Sequence, residues 1–261
     1  MRIGIITGSG AYAWPSITRA ETTTASTAFG EVDLTEGVID GVDVVHVSRH
    51  GRHHARLSHL VQHKANLAAL LERDVEALVS LTVCGALRPD DALGSLIVFD
   101  DLYFPDNRLP DGSHCSWHSA PDQEGRGHWI FDTPFSQPLR EQALTSARAL
   151  EVVYLDGGCY GHVEGPRFNT RTEIAALARL GIRAVSQTAG PEVVLAGEAE
   201  LPMVLLGYLT DYANGVSDPQ PVEQLQRYME AGGPVFQRVV DDLVTRIENA
   251  PPPTGVNYRF G

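Results

Sequence analysis

The sequence predicts a single α/β domain built on a central sheet with helices on both faces, and three observations lead there. The chain has 261 residues, 43% of them hydrophobic, enough to bury a sizeable core as one domain. Short β-branched runs recur along it: "IGIIT" (3–7), "VDVVHVS" (42–48), "VEALVSL" (75–81), "SLIVFDDLY" (95–103), "AVSQT" (184–188) and "MVLLGYLTD" (203–211). Each reads as a buried strand. Between several of them lie helix-period segments at 59–72, 136–150, 170–180 and 192–199, with a last one at about 221–248. The alternation implies a largely parallel sheet covered on both faces. No period of 20–50 residues repeats, which excludes a solenoid.

Composition narrows the function. A net charge of −13 opposes a nucleic-acid binder, which needs a basic face, and suits a small-molecule enzyme. The apolar stretch in "MRIGIITGSG" is too short for a signal h-region or a membrane span, so a cytoplasmic protein without membrane partners is expected. Cys84, Cys115 and Cys159 are odd in number and irregularly spaced, which supports reduced thiols rather than a disulfide framework or zinc knuckle. The stretch 104–129, rich in Pro, Gly, Asp and Ser, reads as a long functional or mobile loop. The tail "APPPTGVNYRFG" (250–261) cannot continue a helix through three prolines and is expected to drape over the surface.

Chemistry-bearing residues collect at strand ends. In "IITGSGAY" an apolar strand runs into Gly8-Ser9-Gly10. The glycines let backbone N–H groups turn toward an anion and Ser9 adds a hydroxyl, although an ordinary tight turn has the same composition. The stretch is neither a full GxGxxG nor a Walker loop, which disfavours a dinucleotide or ATP. "SRHGRHH" follows the "VDVVHV" strand within a segment (46–63) that holds six of the ten histidines and three arginines. Each arginine raises the cost of a dication, so metal is not expected; phosphate is favoured, since guanidinium grips it bidentately and imidazole hydrogen-bonds it. A solvated basic loop is the plain alternative. His59 and His63 lie four apart on the helix read over 59–72, a zinc-compatible spacing with no third ligand beside it. Further along, Thr82 stands near Gly85, and Phe168-Asn169 directly precede a helix, where the ring either stacks on a planar ligand or fills the core. Thr188 leads into another helix, and Asp211 ends the last apolar strand as a functional acid or a helix cap.

Taken in order, "GSG" (8–10), "RHGRHH" (49–54), "ANLAAL" (65–70), "TVCGALR" (82–88), "DGSH" (111–114), "EGPRF" (164–168), "PEVVLAGEAELP" (191–202) and "TDY" (210–212) resemble the trimeric nucleoside phosphorylase family, in its 5'-methylthioadenosine phosphorylase branch. The resemblance spans about residues 3 to 245, and its specificity lies in the joint order and spacing of the motifs. It implies the nucleoside phosphorylase fold: one domain over residues 1–249, a central twisted mixed β-sheet flanked by helices on both faces, followed by the Pro-rich tail at 250–261. It also implies a homotrimer and a reaction without metal or cofactor, in which inorganic phosphate attacks C1' of a purine nucleoside and releases the base. Motif by motif, Ser9, Arg49, His50, Thr82, the Val83 backbone and Thr188 match phosphate contacts, and His54 matches the second histidine of the Arg-His motif. Phe168 looks like the ring lining the base pocket, and Asp211 like the acid that meets N7 and a 6-amino group; Asp211 and His54 are the expected catalytic residues. His128, in "GRGHW", matches a histidine lent across the subunit interface to the 5' substituent.

Glycosidic cleavage builds positive charge on the ribose, which a phosphate held below C1' stabilises, and negative charge on the leaving purine, which a carboxyl sharing a proton with N7 relieves. A carboxylate accepts from a 6-amino group but not from a 6-oxo group, so Asp favours adenine and Asn favours hypoxanthine or guanine. Three residues depart from the branch, two of them expected substrate contacts: Gln187 stands where Met packs under the sugar, with an amide to bond a hydroxyl or alter the substrate, Asn169 stands where Ser follows the phenylalanine, in reach of N1 or O6, and Ala213 stands where a second carboxylate follows "TDY". The expected function is phosphorolysis of 5'-methylthioadenosine to adenine and 5-methylthioribose 1-phosphate, in methionine and purine salvage. The alternatives are a 6-oxopurine phosphorylase acting on inosine, guanosine or 5'-methylthioinosine, a hydrolytic nucleosidase, and a non-catalytic nucleoside sensor or metal-storage protein.

Overall fold

The computed structural model describes residues 1–9, 12–251 and 255–260. Gly10 of the glycine turn lies outside the described residues, as do 252–254 and 261 of the tail. At the centre, β1 (Arg2–Thr7) runs parallel to both β4 (Val42–Ser48) and β5 (Ala77–Ala86). Side chains alternate across the strand: Ile3 and Ile5 enter one core cluster and Ile6 the other, so β1 is apolar on both faces.

The sheet divides at β5. Residues Ala77–Ser80 pair with β1, while nearly the whole strand pairs in parallel with β12 (Met203–Tyr212). Beyond Ser80 it leaves β1, and at Gly85 and Ala86 it meets β11 (Ile182–Ser186), which runs antiparallel. β10 (Cys159–His162) and β7 (Asp101–Tyr103) extend the β11 branch; β6 (Leu96–Val98) and β9 (Tyr154–Asp156) extend the β12 branch. At the far edge β4 carries the antiparallel hairpin of β3 (Gly30–Ile39) and β2 (Thr18–Thr27). Among the described residues this makes an eleven-stranded sheet, mixed rather than largely parallel.

Two expected elements change. The run 95–103 is not one strand: Arg140 donates to the carbonyls of Val98 and Phe99, and Asp100 accepts from the Gly158 amide, so the chain turns from one branch to the other. The helix expected over 59–72 begins only at His63, because Ser58–Leu60 is a single 3-10 turn and Val61 is extended. His59 and His63 therefore share no helix face.

Helices α1 (His63–Leu71) and α4 (Ala189–Glu198) cover one face through Leu67, Leu70, Val193 and Leu195. On the other face lie α2 (Gln137–Ala149) and α5 (Val222–Arg246), through Leu139, Ala143, Phe236, Val239 and Leu243. Each fully buried Leu, Ile or Val stabilises by about 1.5–3 kcal/mol before the entropy of ordering is subtracted. α3 (Arg171–Arg179) starts with a capping box between Thr170 and Glu173. Glu173 also binds Arg167 at 2.7 Å, which fixes the loop leading into the helix. The long loop ends in β8 (Gly127–Phe131), with which tail residues Gly255–Arg259 (β13) pair antiparallel. Among the described residues no helix is long and apolar enough to cross a membrane.

Candidate active site

Where β5 parts from β1, a cavity of about 290 Å³ opens at the carboxyl ends of β1 and β4, the usual position of a ligand in an α/β sheet. Ser9, Arg49, His50, His54, Thr82, Val83, Phe168, Asn169, Gln187, Thr188 and Asp211 all line it. His128 does not: it is exposed on β8, its ring edge-to-face with Phe260 at 5.5 Å.

Among the lining residues Arg49 is 1% exposed. Its fork is not open to a ligand as the motif suggested. Nε and Nη2 bind the two oxygens of Glu192, Nη2 also donates to Ser80 Oγ at 2.8 Å, and Nη1 donates to the Leu81 carbonyl at 2.8 Å. One Nη1 N–H remains, beside Gly8, where a Cβ would lie 2.6 Å from Nη1; any side chain there would displace the guanidinium. Glu192 is itself fully buried and accepts from Ser80 Oγ at 2.7 Å. Burial opposes its charge, but Arg49 outweighs burial and holds the carboxyl well below the usual range. Thr188 precedes α4 without capping it through its own side chain; the Ala189 and Gly190 amides donate instead to the Tyr160 hydroxyl and His162 Nδ1. The Thr188 hydroxyl thus remains for the cavity.

The histidine-rich segment separates into distinct roles. His46 lies inside β4, 2.8 Å from the Thr7 hydroxyl. His50 contacts the Arg56 carbonyl through Nδ1 at 2.8 Å and stacks on His54, ring centroids 4.1 Å apart; His54 Nδ1 in turn meets the Tyr12 hydroxyl at 2.9 Å. Arg52 pairs with Asp33 at the surface. Among the described residues, no group of three or more His, Cys, Asp or Glu is arranged to hold a metal ion.

Burial pushes His46 and His50 down to about 4 and His162 to about 3, and it lowers His63 as well. All four are neutral in the folded protein at neutral pH, whereas unfolded imidazoles titrate near about 6.5. As pH falls below that value the unfolded state binds more protons, so stability falls with it. Thermal melts are expected to drop steeply between neutral pH and about pH 5; a flat melting temperature over that interval would contradict this account.

A bulge in β12 sets the acid. Leu209 pairs with Cys84 and Asp211 with Gly85, leaving Thr210 as the extra residue. Thr210 Oγ1 reaches the Cys84 carbonyl at 3.3 Å and Asp211 Oδ1 at 2.8 Å, holding the carboxyl at the cavity. A Cβ on Gly85 would meet Asp211 Oδ2 at 3.3 Å, so the glycine leaves the acid its room. Burial raises the Asp211 pKa, only partly opposed by the Thr210 hydrogen bond. Phe168 is 61% exposed, which excludes a core-filling role and leaves its ring at the open side of the cavity. The Asn214 side chain donates to the Asn169 carbonyl at 2.7 Å and fixes the backbone there. Gln187 lines the cavity with both ends of its amide engaged: the oxygen accepts from Ser58 and the nitrogen donates to the Arg167 carbonyl, which ties the 164–168 loop to the turn at 58.

Glu192, Ser80, Tyr12 and Thr210 hold site residues through bonds that local sequence pattern does not assign. Only Glu192 carried a signal, as a lone acid inside the apolar helix "AGPEVVLAG".

A buried arginine, a buried acid and an exposed aromatic ring, gathered in one cavity where parallel strands end, define a small-molecule enzyme of the α/β class. The chain belongs to the phosphorylase superfamily, whose family model matches residues 2–245. It is 33% identical over 216 residues to the 6-oxopurine nucleoside phosphorylase of Pyrococcus furiosus, covering 83% of this chain and 81% of that protein. To the S-methyl-5'-thioadenosine phosphorylase of Thermofilum pendens it is 32% identical over 249 residues, 95% and 92% of the two chains. Among solved structures it superimposes on methylthioadenosine phosphorylase from Schistosoma mansoni in complex with adenine, with a TM-score of 0.86, 25% identity and coverage of 94% and 91%.

Proposed function

We propose that the protein catalyses phosphorolysis of 5'-methylthioadenosine, yielding adenine and 5-methylthioribose 1-phosphate, as a step of methionine and purine salvage in the cytoplasm. The observation that carries this reading is Asp211: a carboxyl with a raised pKa that lines the same cavity as Arg49, His50 and Thr188. In this scheme phosphate attacks C1', the C1'–N9 bond breaks, and the purine takes a proton at N7 through Asp211. A carboxylate oxygen accepts from the 6-amino group of adenine. Leu57, Leu225 and Met229 give the cavity an apolar wall suited to a methylthio group. A 6-oxopurine substrate is the second reading, favoured by Asn169, by Ala213 in place of a second carboxylate, and by the Pyrococcus relative.

His128 enters the scheme only through a neighbour. It stands on the β8–β13 sheet beside the exposed apolar residues Ile130, Val256, Tyr258 and Phe260, a face suited to burial in a homotrimer that lends His128 to the next cavity. The test is a panel of nucleosides varied in base and 5' substituent, assayed with and without phosphate, alongside sedimentation of the free protein. Adenine release from methylthioadenosine only when phosphate is present, by a trimer, is expected. No release contradicts the reading; release in phosphate-free buffer indicates a hydrolase, and a monomer removes the role of His128.

A further inference from the structure

The hydrogen bonding around Arg49 and His50 carries a consequence for the anion, resting on the phosphorylase reading above. Arg49 is the only Lys or Arg among the described residues lining the cavity, and its charge is matched at contact distance by Glu192. The pair presents one N–H to a ligand rather than a free cation. His50 is more restrictive. The Arg56 carbonyl can only accept, so Nδ1 must carry the ring proton, and the nitrogen left for a ligand is Nε2. Burial and the neighbouring Arg49 charge keep the ring neutral at neutral pH. Nε2 is therefore a bare lone pair, an acceptor where a cationic histidine would donate.

We propose that this cradle selects oxyanions that still carry a proton, hydrogen phosphate or hydrogen arsenate, over the fully ionised sulfate. The P–OH group donates to His50 Nε2, and the unprotonated oxygens accept from the remaining Arg49 N–H and the Thr188 hydroxyl. Sulfate has the same size and charge as the phosphate dianion but no proton at neutral pH, so one of its oxygens meets the Nε2 lone pair. A buried acceptor left unsatisfied in this way weakens binding by about 10–100-fold.

The experiment is calorimetric titration of the full chain at neutral pH and constant ionic strength with sodium phosphate, arsenate and sulfate in turn, paired with the phosphate-dependent assay. Sulfate is expected to bind about 10–100-fold more weakly than phosphate, with arsenate close to phosphate. In His50→Asn, whose amide can present a donor, the gap between sulfate and phosphate is expected to narrow. Turnover with phosphate together with equal binding of sulfate and phosphate by the unaltered protein overturns the anion selection alone. An unchanged gap in a folded His50→Asn protein removes His50 as its source and overturns it too. If phosphate neither binds nor supports base release, the phosphorylase reading itself falls and takes this inference with it.

Discussion

Replacing Asp211 by alanine is expected to lower kcat/KM for the purine nucleoside by about 10²–10⁴-fold, the usual contribution of a positioned general acid. The acid stands at the Thr210 bulge, where burial raises its pKa, so its protonated form persists to higher pH than an ordinary aspartic acid and is lost as pH rises through the raised value. The same displacement has the opposite sign for folding. A carboxyl whose folded pKa is raised stabilises relative to the unfolded chain only at low pH, and that contribution is lost as pH rises through the raised value. Asp211→Ala is therefore expected to lose activity without losing thermal stability, a split that structural damage does not produce. Asp211→Asn refines the test: it keeps the shape and replaces an acceptor by a donor, so turnover of 6-aminopurine nucleosides should fall further than that of 6-oxopurine nucleosides. Equal losses on both substrates would place Asp211 away from the 6-position.

What the residues disclosed in advance depended on whether one chain segment contained the whole cause. The strand at Val42–Ser48 has the limits read from "VDVVHVS", because a segment apolar on both faces announces its own burial. The β2–β3 hairpin did not show, since "TRAETTTAST" is a polar, mostly exposed edge strand with no apolar alternation. Within the site, motif positions located Arg49, His50, Thr188 and Asp211 at one cavity, but not their bonding. The bulge at Thr210 depends on register with β5, the occupied fork of Arg49 on a glutamate 143 residues away, and the amide of Gln187 on Ser58 and Arg167. Each of these is a partnership between distant segments, for which local pattern has no symbol. His128 extends the point: its proposed role needs a second copy of the chain.

The Arg49–Glu192 pair carries the largest expected effect on stability. Glu192→Ala leaves a guanidinium that is 1% exposed without its counter-ion, which costs about 3–5 kcal/mol. For a chain of this size that is a fall in melting temperature of about 6–20 °C. Glu192→Gln keeps one acceptor and the volume, so its loss of stability should be smaller, and it unmasks the Arg49 charge. Phosphate affinity in Glu192→Gln is then expected to rise and to become more sensitive to salt, since an uncompensated cation attracts any anion. Because the folded pKa of Glu192 is depressed, its share of the stability is present above the ordinary carboxylate range and is lost only as pH falls below it, distinct from the histidine effect that begins near about 6.5. The double replacement Arg49→Met with Glu192→Leu separates structure from function. Removing both charges together restores much of the stability, as hydrophobic replacement of buried ion pairs often does, yet it also removes the N–H beside Gly8 and should abolish phosphate binding. Should Glu192→Ala melt with the unaltered protein, the buried pair contributes nothing to the fold, and Arg49 must find another counter-charge.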